Sequence, residues 1–165
     1  MSGIEQNYRK EIVNKVIPYA RKDSRIVLLV GDMGFGAIDN FKAEFPDRVY
    51  NLGIMEQGSV GIAAGMAMTG LIPVYYSIVN FLAFRAIEQV RNDVVLQDLN
   101  VKFISTGVNN YFEKLGVSHC CGEDDKKLMQ LINLEVFDPY EAEPTDFDKM
   151  VEDWMTSPKA GYMRV

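Results

Sequence analysis

The chain has 165 residues, 48% hydrophobic and 24% charged, a length and balance that suit one domain over 1–165 and exclude a disordered segment. Lys and Arg total 17 against 23 Asp and Glu, a formal charge of −6 and the wrong sign for tracking a phosphate backbone, so nucleic acid is not an expected partner. No apolar run reaches membrane-span length, and Met1-Ser2-Gly3-Ile4-Glu5-Gln6 lacks the basic-then-apolar order of a signal peptide, so a cytoplasmic protein is expected.

In chain order, apolar residues at helical spacing over 5–21 (Tyr8, Ile12, Val13, Val16, Ile17, Ala20) predict a first helix. Ile26-Val27-Leu28-Leu29-Val30, closed by Gly31, reads as a buried strand, and 49–52 as a weaker one. An Ala/Gly/Met-rich helix is expected over 57–70, a strand over 72–78 and a helix over 83–96. A strand over 101–104 then leads into a long polar, Gly-containing loop over 106–125. A short helix over 126–133, a strand over 135–137, a helix over 146–155 and a strand over 162–165 complete the chain. Apolar strands alternating with helices predict an α/β fold of three layers, a mostly parallel sheet with helices on both faces. In such sheets ligands gather beyond the carboxyl ends of the strands, here loops 31–40, 51–56, 78–82 and 105–124.

Each of these loops holds a candidate. Gly31-Asp32-Met33-Gly34-Phe35-Gly36 follows a strand, but its glycines miss the G-x-G-x-x-G offsets, and the ribose-binding acid expected about 20 residues on falls at Leu52-Gly53. A flexible turn is the better reading. Glu56 follows Ile54 and Met55 at a helix start, where a first-turn acid complementing the helix dipole is the plain alternative to a functional carboxylate. Behind it, Gly58, Gly61 and Gly65 strip side chains from the helix at about 0.5–1 kcal/mol each. Something is therefore expected to approach that backbone closely: a helix, a subunit or a ligand. Phe81, at a strand-to-helix junction, is either a core ring or a platform for a flat ligand. His119, the only histidine, is either a solvated loop residue or an acid–base or hydroxyl-binding group. Cys120 and Cys121 are neighbours, too strained a pair to bridge, and are expected as free thiols; with no second ligand pair they do not make a zinc cage.

Taken together, Gly53-Ile54-Met55-Glu56-Gln57, the Gly/Ala helix, Phe81 twenty-five places after Glu56, and Leu115-Gly116-Val117-Ser118-His119 resemble one family. It is the pyrimidine-binding domain of transketolase-type thiamine diphosphate enzymes, and Gly161-Tyr162-Met163-Arg164-Val165 is similar to its closing strand. The likeness runs over essentially the whole chain and is nearest to small subunits of split transketolase-like enzymes. It implies that Glu56 hydrogen-bonds N1′ of the aminopyrimidine, so that the exocyclic N4′ acts as base toward C2, an exchange favoured by burial of the carboxyl group. It further implies Phe81 stacking on the pyrimidine, Phe84 and Ile54 lining the same pocket, Asp32 near the cofactor, and His119 binding donor hydroxyls or the carbonyl oxygen and moving protons.

Three departures from the family pattern bear on this. Ser118 stands where the family has Thr, and Cys120-Cys121 replace the residues that usually follow, which points to an unusual donor. The Gly-Asp-Gly of the diphosphate domain is absent, since Gly31-Asp32 is followed by Met33. The chain also stops at the closing strand. The resemblance therefore implies a larger partner subunit holding the diphosphate through Mg2+ or Ca2+, an α2β2 assembly, and two-carbon ketol transfer between sugar-type substrates. A β-type subunit of a 2-oxo-acid dehydrogenase or decarboxylase, or a non-catalytic α/β binding module, are the alternatives.

Overall fold

The computed structural model describes residues 7–141 and 146–165. The reading of Met1 to Gln6 as no signal peptide, and the first two residues of the predicted opening helix, lie outside them. Six strands form the sheet: β1 (Ile26–Val30), β2 (Val49–Asn51), β3 (Ile72–Ile78), β4 (Lys102–Thr106), β5 (Glu135–Phe137) and β6 (Gly161–Arg164). Their order is β2-β1-β3-β4-β6-β5, and every neighbouring pair is parallel. Every residue of β1, β4 and β6 is buried, as expected of strands covered on both sides.

Alternate side chains along the strands feed two cores. Ile26, Leu28, Val30, Val74, Tyr76, Ile104 and Met163 face α1 (Tyr8–Lys22), α2 (Asp39–Glu44) and α6 (Phe147–Thr156). Leu29, Tyr75, Phe103 and Tyr162 face α3 (Glu56–Met68), the helical segment that contains α4 (Ile87–Gln89), and α5 (Asp124–Leu131). This is the predicted three-layer architecture. The first helix buries Tyr8, Ile12, Val13, Val16, Ile17 and Ala20, and Asn7 caps it by accepting the Lys10 N–H at 3.2 Å.

The elements differ from expectation in three places. Part of the 31–40 loop runs into α2, a six-residue helix with only Phe41 buried and so no readable apolar period. The 83–96 helix starts at Phe81 and is irregular, with π-helical turns Phe81–Arg85 and Val90–Val95 on either side of α4; such turns favour functional sites. The long loop yields Thr106 to β4 and its last two residues to α5, where Asp124 and Asp125 suit the positive helix end. Within the loop lie two short 3-10 turns, Glu113–Leu115 and Val117–His119.

Lys102 opens β4 with its side chain wholly buried, and its Nζ donates to Ser157 O (2.8 Å) and Lys159 O (2.6 Å). Burial pulls its pKa from 10.5 down to about 8, against an opposing pull from Glu135. Between those values the unfolded chain holds a proton that the folded chain has released, so stability rises with pH through this window. The gain is complete above 10.5 and lost as pH falls through 8. Urea unfolding of wild type and Lys102→Met should show the wild type gaining about 3 kcal/mol relative to the variant across it. A difference that stays flat with pH would mean the ammonium remains charged inside.

The path of the chain reverses between β1 and β3. After β1 it turns toward β2 at the edge of the sheet, and after β3 it moves the other way, to β4. The crevice at the carboxyl ends of these two strands is the natural ligand position of this topology.

Candidate active site

Around this crevice three distant segments meet. Asn51 ends β2, and its Oδ1 accepts the backbone N–H groups of Asp32 and Gly53, both at 3.0 Å. Its Nδ2 donates to Asp32 Oδ1 at 3.2 Å. This side chain ties the loop after β1 to the turn after β2, where Gly53 takes a φ of +75° that L-residues rarely adopt. The turn leaves Ile54 70% exposed and delivers Glu56, only 2% exposed, as the first residue of α3. An ordinary first-turn acid faces water; this one faces the protein.

Glu56 Oε2 accepts from Arg85 Nη1 at 2.6 Å. The same guanidinium lies 4.3 Å from the centroid of the Phe81 ring. Phe81 in turn meets the His119 ring edge-on, with centroids 5.0 Å apart at 74°. Asn80, the residue before Phe81, donates from Nδ2 to Ser118 O (2.7 Å) and Cys120 O (3.1 Å), clamping the histidine loop beside the ring. His119 Nδ1 is 3.1 Å from Ser118 Oγ. Three sequence candidates, Glu56, Phe81 and His119, thus fall into one row, with Arg85 linking the first two.

The other three stand around this row. Asp32, exposed and left-handed at φ 54°, bonds Asn51 rather than a member of the row. Phe84 is 49% exposed and takes no part in the ring contacts. Ile54 projects outward two residues before Glu56. Cys120 and Cys121 are free thiols, as expected, and burial together with Asp125 pushes the Cys121 thiol up to about 12. It is therefore protonated and unreactive near neutral pH.

Arg85, Asn80 and Asn51 are the residues that sequence reasoning missed. Arg85 had a usable signal, lying four positions after Phe81 and so about one helical turn away. The Asn51-Leu52-Gly53 sequence carried another, since Asn before a glycine commonly bonds the backbone two residues on.

Two further surfaces lie outside the row. At the carboxyl end of β4, a cleft of about 370 Å³ is lined by Arg9, Gly107, Asn109, Asn110, Tyr111 and Tyr140, among others. The Arg9 guanidinium lies 5.6 and 5.5 Å from the Tyr111 and Phe112 ring centroids, and its buried Nε has no hydrogen-bond partner among the described residues. On the outer side of α3, Gln57, Gly58, Gly61, Ile62, Gly65 and Met68 are exposed. A Cβ built on Gly61 or Gly65 would touch nothing within 4 Å, so no packing among the described residues requires glycine there.

Comparison with known proteins bears on the fold and the family. A "Putative transketolase C-terminal section" of Methanocaldococcus jannaschii is 34% identical over 140 residues, covering 84% of this chain and 44% of its own length. The "6-deoxy-6-sulfo-D-fructose transketolase subunit SqwH" of Clostridium sp. MSTE9 is 31% identical over 135 residues, covering 81% and 42% respectively. The chain thus spans less than half the length of these curated relatives. A solved structure described as a split gene transketolase, an inactive β4 tetramer, superposes with a TM-score of 0.79 at 30% identity, covering 94% of this chain and 50% of that one. Residues 5–155 match the family described as the transketolase pyrimidine-binding domain, a stretch that contains Glu56, Phe81, Arg85 and His119. The chain belongs to that family.

Proposed function

We propose that this chain is the single-domain small subunit of a split, transketolase-like enzyme and contributes the aminopyrimidine half of a thiamine diphosphate site. The observation that carries the reading is the buried Glu56 carboxylate beside the Phe81 ring, with a planar cation already seated between them. A flat, nitrogen-rich ring that shares a proton with a carboxylate suits the same two partners. When bound, thiamine diphosphate supplies a nucleophilic carbon that no side chain offers.

The chain's own residues then divide the remaining work. Glu56, in a water-poor position, holds a proton at the ring nitrogen N1′. Phe81 carries the flat face of the ring, with Phe84 and Ile54 lining the outer side and Asp32 nearby. His119, held against Phe81 by the Asn80 clamp, binds the hydroxyls or carbonyl oxygen of a sugar donor and moves a proton there. Arg9, in the cleft at the end of β4 and with no partner for its Nε among the described residues, suits the anionic end of a phosphorylated or similarly charged sugar.

A larger subunit would hold the diphosphate and its Mg2+ or Ca2+, in an α2β2 complex in the cytoplasm. The glycine face of α3 is a surface on which such a subunit can pack closely. Three relatives support this reading by their names: a C-terminal section, a subunit acting on a sulfosugar, and an inactive tetramer of β chains. Mixing the chain with its diphosphate-binding partner should give ketol transfer from a ketose to an aldose, and the isolated chain should give none. Transfer by the purified chain alone would overturn the split-enzyme reading, and turnover of 2-oxo acids instead of ketoses would move the assignment to a dehydrogenase or decarboxylase.

A further inference from the structure

Arg85 makes at once the two contacts that the proposed function gives to an aminopyrimidine. Its Nη1 lies 2.6 Å from Glu56 Oε2, and its Cζ lies 4.3 Å from the Phe81 ring centroid. A guanidinium is flat, carries N–H donors around its edge and stacks on aromatic faces. An aminopyrimidine protonated on its ring has the same combination of plane, positive charge and edge donors. Both groups therefore compete for one carboxylate and one ring face.

The free chain has a physical need for such an occupant. The Glu56 side chain is 3% exposed, and an unpaired carboxylate so far from water is strongly disfavoured. Arg85 offsets that cost, yet its own side chain is 44% exposed, which leaves it a route back to solvent. The backbone also sets Arg85 apart from the rest of the helical segment. It closes the π-helical turn Phe81–Arg85, and Ala86 then departs from helical geometry at φ −112° and ψ 12°.

We propose that Arg85 is a placeholder for the cofactor's aminopyrimidine ring. In the free chain it keeps Glu56 paired and Phe81 covered, and it yields both when the ring enters, so that cofactor affinity is set by competition with this side chain. The inference rests on the reading of Glu56 and Phe81 given under Proposed function.

Thiamine itself, which lacks the diphosphate and so needs no partner-held metal, is the probe. Its affinity for the full chain is measured by ligand-observed NMR for wild type, Arg85→Ala, Arg85→Lys, Glu56→Ala and Phe81→Ala. Removing the competing ion pair and stack should tighten thiamine binding by about tenfold in Arg85→Ala. Arg85→Lys keeps the charge but not the plane, preserves the fold if Arg85→Ala does not, and should tighten binding by a smaller factor. Glu56→Ala and Phe81→Ala should weaken it. If those two weaken binding while both Arg85 variants leave it unchanged or weaken it, the placeholder is overturned and the pyrimidine site stands. If neither Glu56→Ala nor Phe81→Ala changes binding, or if thiamine binds no form of the chain, the site reading fails and the placeholder fails with it.

Discussion

Glu56→Gln is expected to lower turnover of the reconstituted two-subunit enzyme by about 10²–10⁴-fold, the range for loss of a positioned acid–base group. The amide has nearly the shape of the carboxylate, and its oxygen can still accept from Arg85 Nη1, now 2.6 Å from Oε2. What it loses is the charge and the ability to hold and release a proton. The fold should survive, because a neutral amide is easier to bury than a carboxylate paired with one half-exposed arginine. Subunit assembly should survive as well, since the side chain is 3% exposed and presents nothing to a partner surface. Steady-state ketol transfer alongside analytical ultracentrifugation separates these effects. Activity within a few-fold of wild type in an intact complex would remove Glu56 from the chemistry and leave it as a buried helix-start acid.

Asp125→Ala is expected to cost about 3–5 kcal/mol of folding stability, the range for breaking one partner out of a buried ion pair. Asp125 is wholly buried and accepts from Arg164 Nε (3.0 and 3.2 Å) and from Tyr162 Oη (3.0 Å). Arg164, 1% exposed, also donates to Asp138 Oδ2 (2.9 Å) and to Gly122 O (2.5 Å). The network thus joins the last residue of β6 to the start of α5, to the residue after β5 and to the end of the loop that carries His119. Without the Asp125 carboxylate, a guanidinium out of reach of water keeps one counter-ion where it had two. Denaturant unfolding measures the loss, and Asp125→Asn, which retains acceptor capacity, should lose less. A cost near 1 kcal/mol for the alanine variant would mean that water replaces the carboxylate and that the network does not hold the loop.

Much of the frame was legible from local pattern. The β1 and β3 segments fell where predicted, because a buried parallel strand is a short apolar run and turn residues close it; the edge strand β5 also fell at 135–137. The apolar stripe of α1 likewise named its own buried face. The α2 helix was not legible, since six residues with one buried ring leave no period to detect. The irregular turns at 81–85 and 90–95 were missed for a related reason: the apolar spacing of Ile87, Val90 and Val94 reads as an ordinary helix whichever hydrogen-bond register the backbone takes.

The site divides along the same line. Residue types and spacing marked Glu56, Phe81 and His119 as candidates, and the family likeness ordered them, but each kept a plain structural alternative. Only the tertiary structure decided that Glu56 is buried, that Arg85 is its partner, and that Asn80 draws the histidine loop against Phe81. Those facts depend on side chains 29 and 38 positions apart in the chain. Such pairings follow from the sheet order, in which β3 lies beside β1 although β2 intervenes in sequence. A strand's own residues carry its tendency to be a strand; which loop it sets beside another is a property of the assembled sheet.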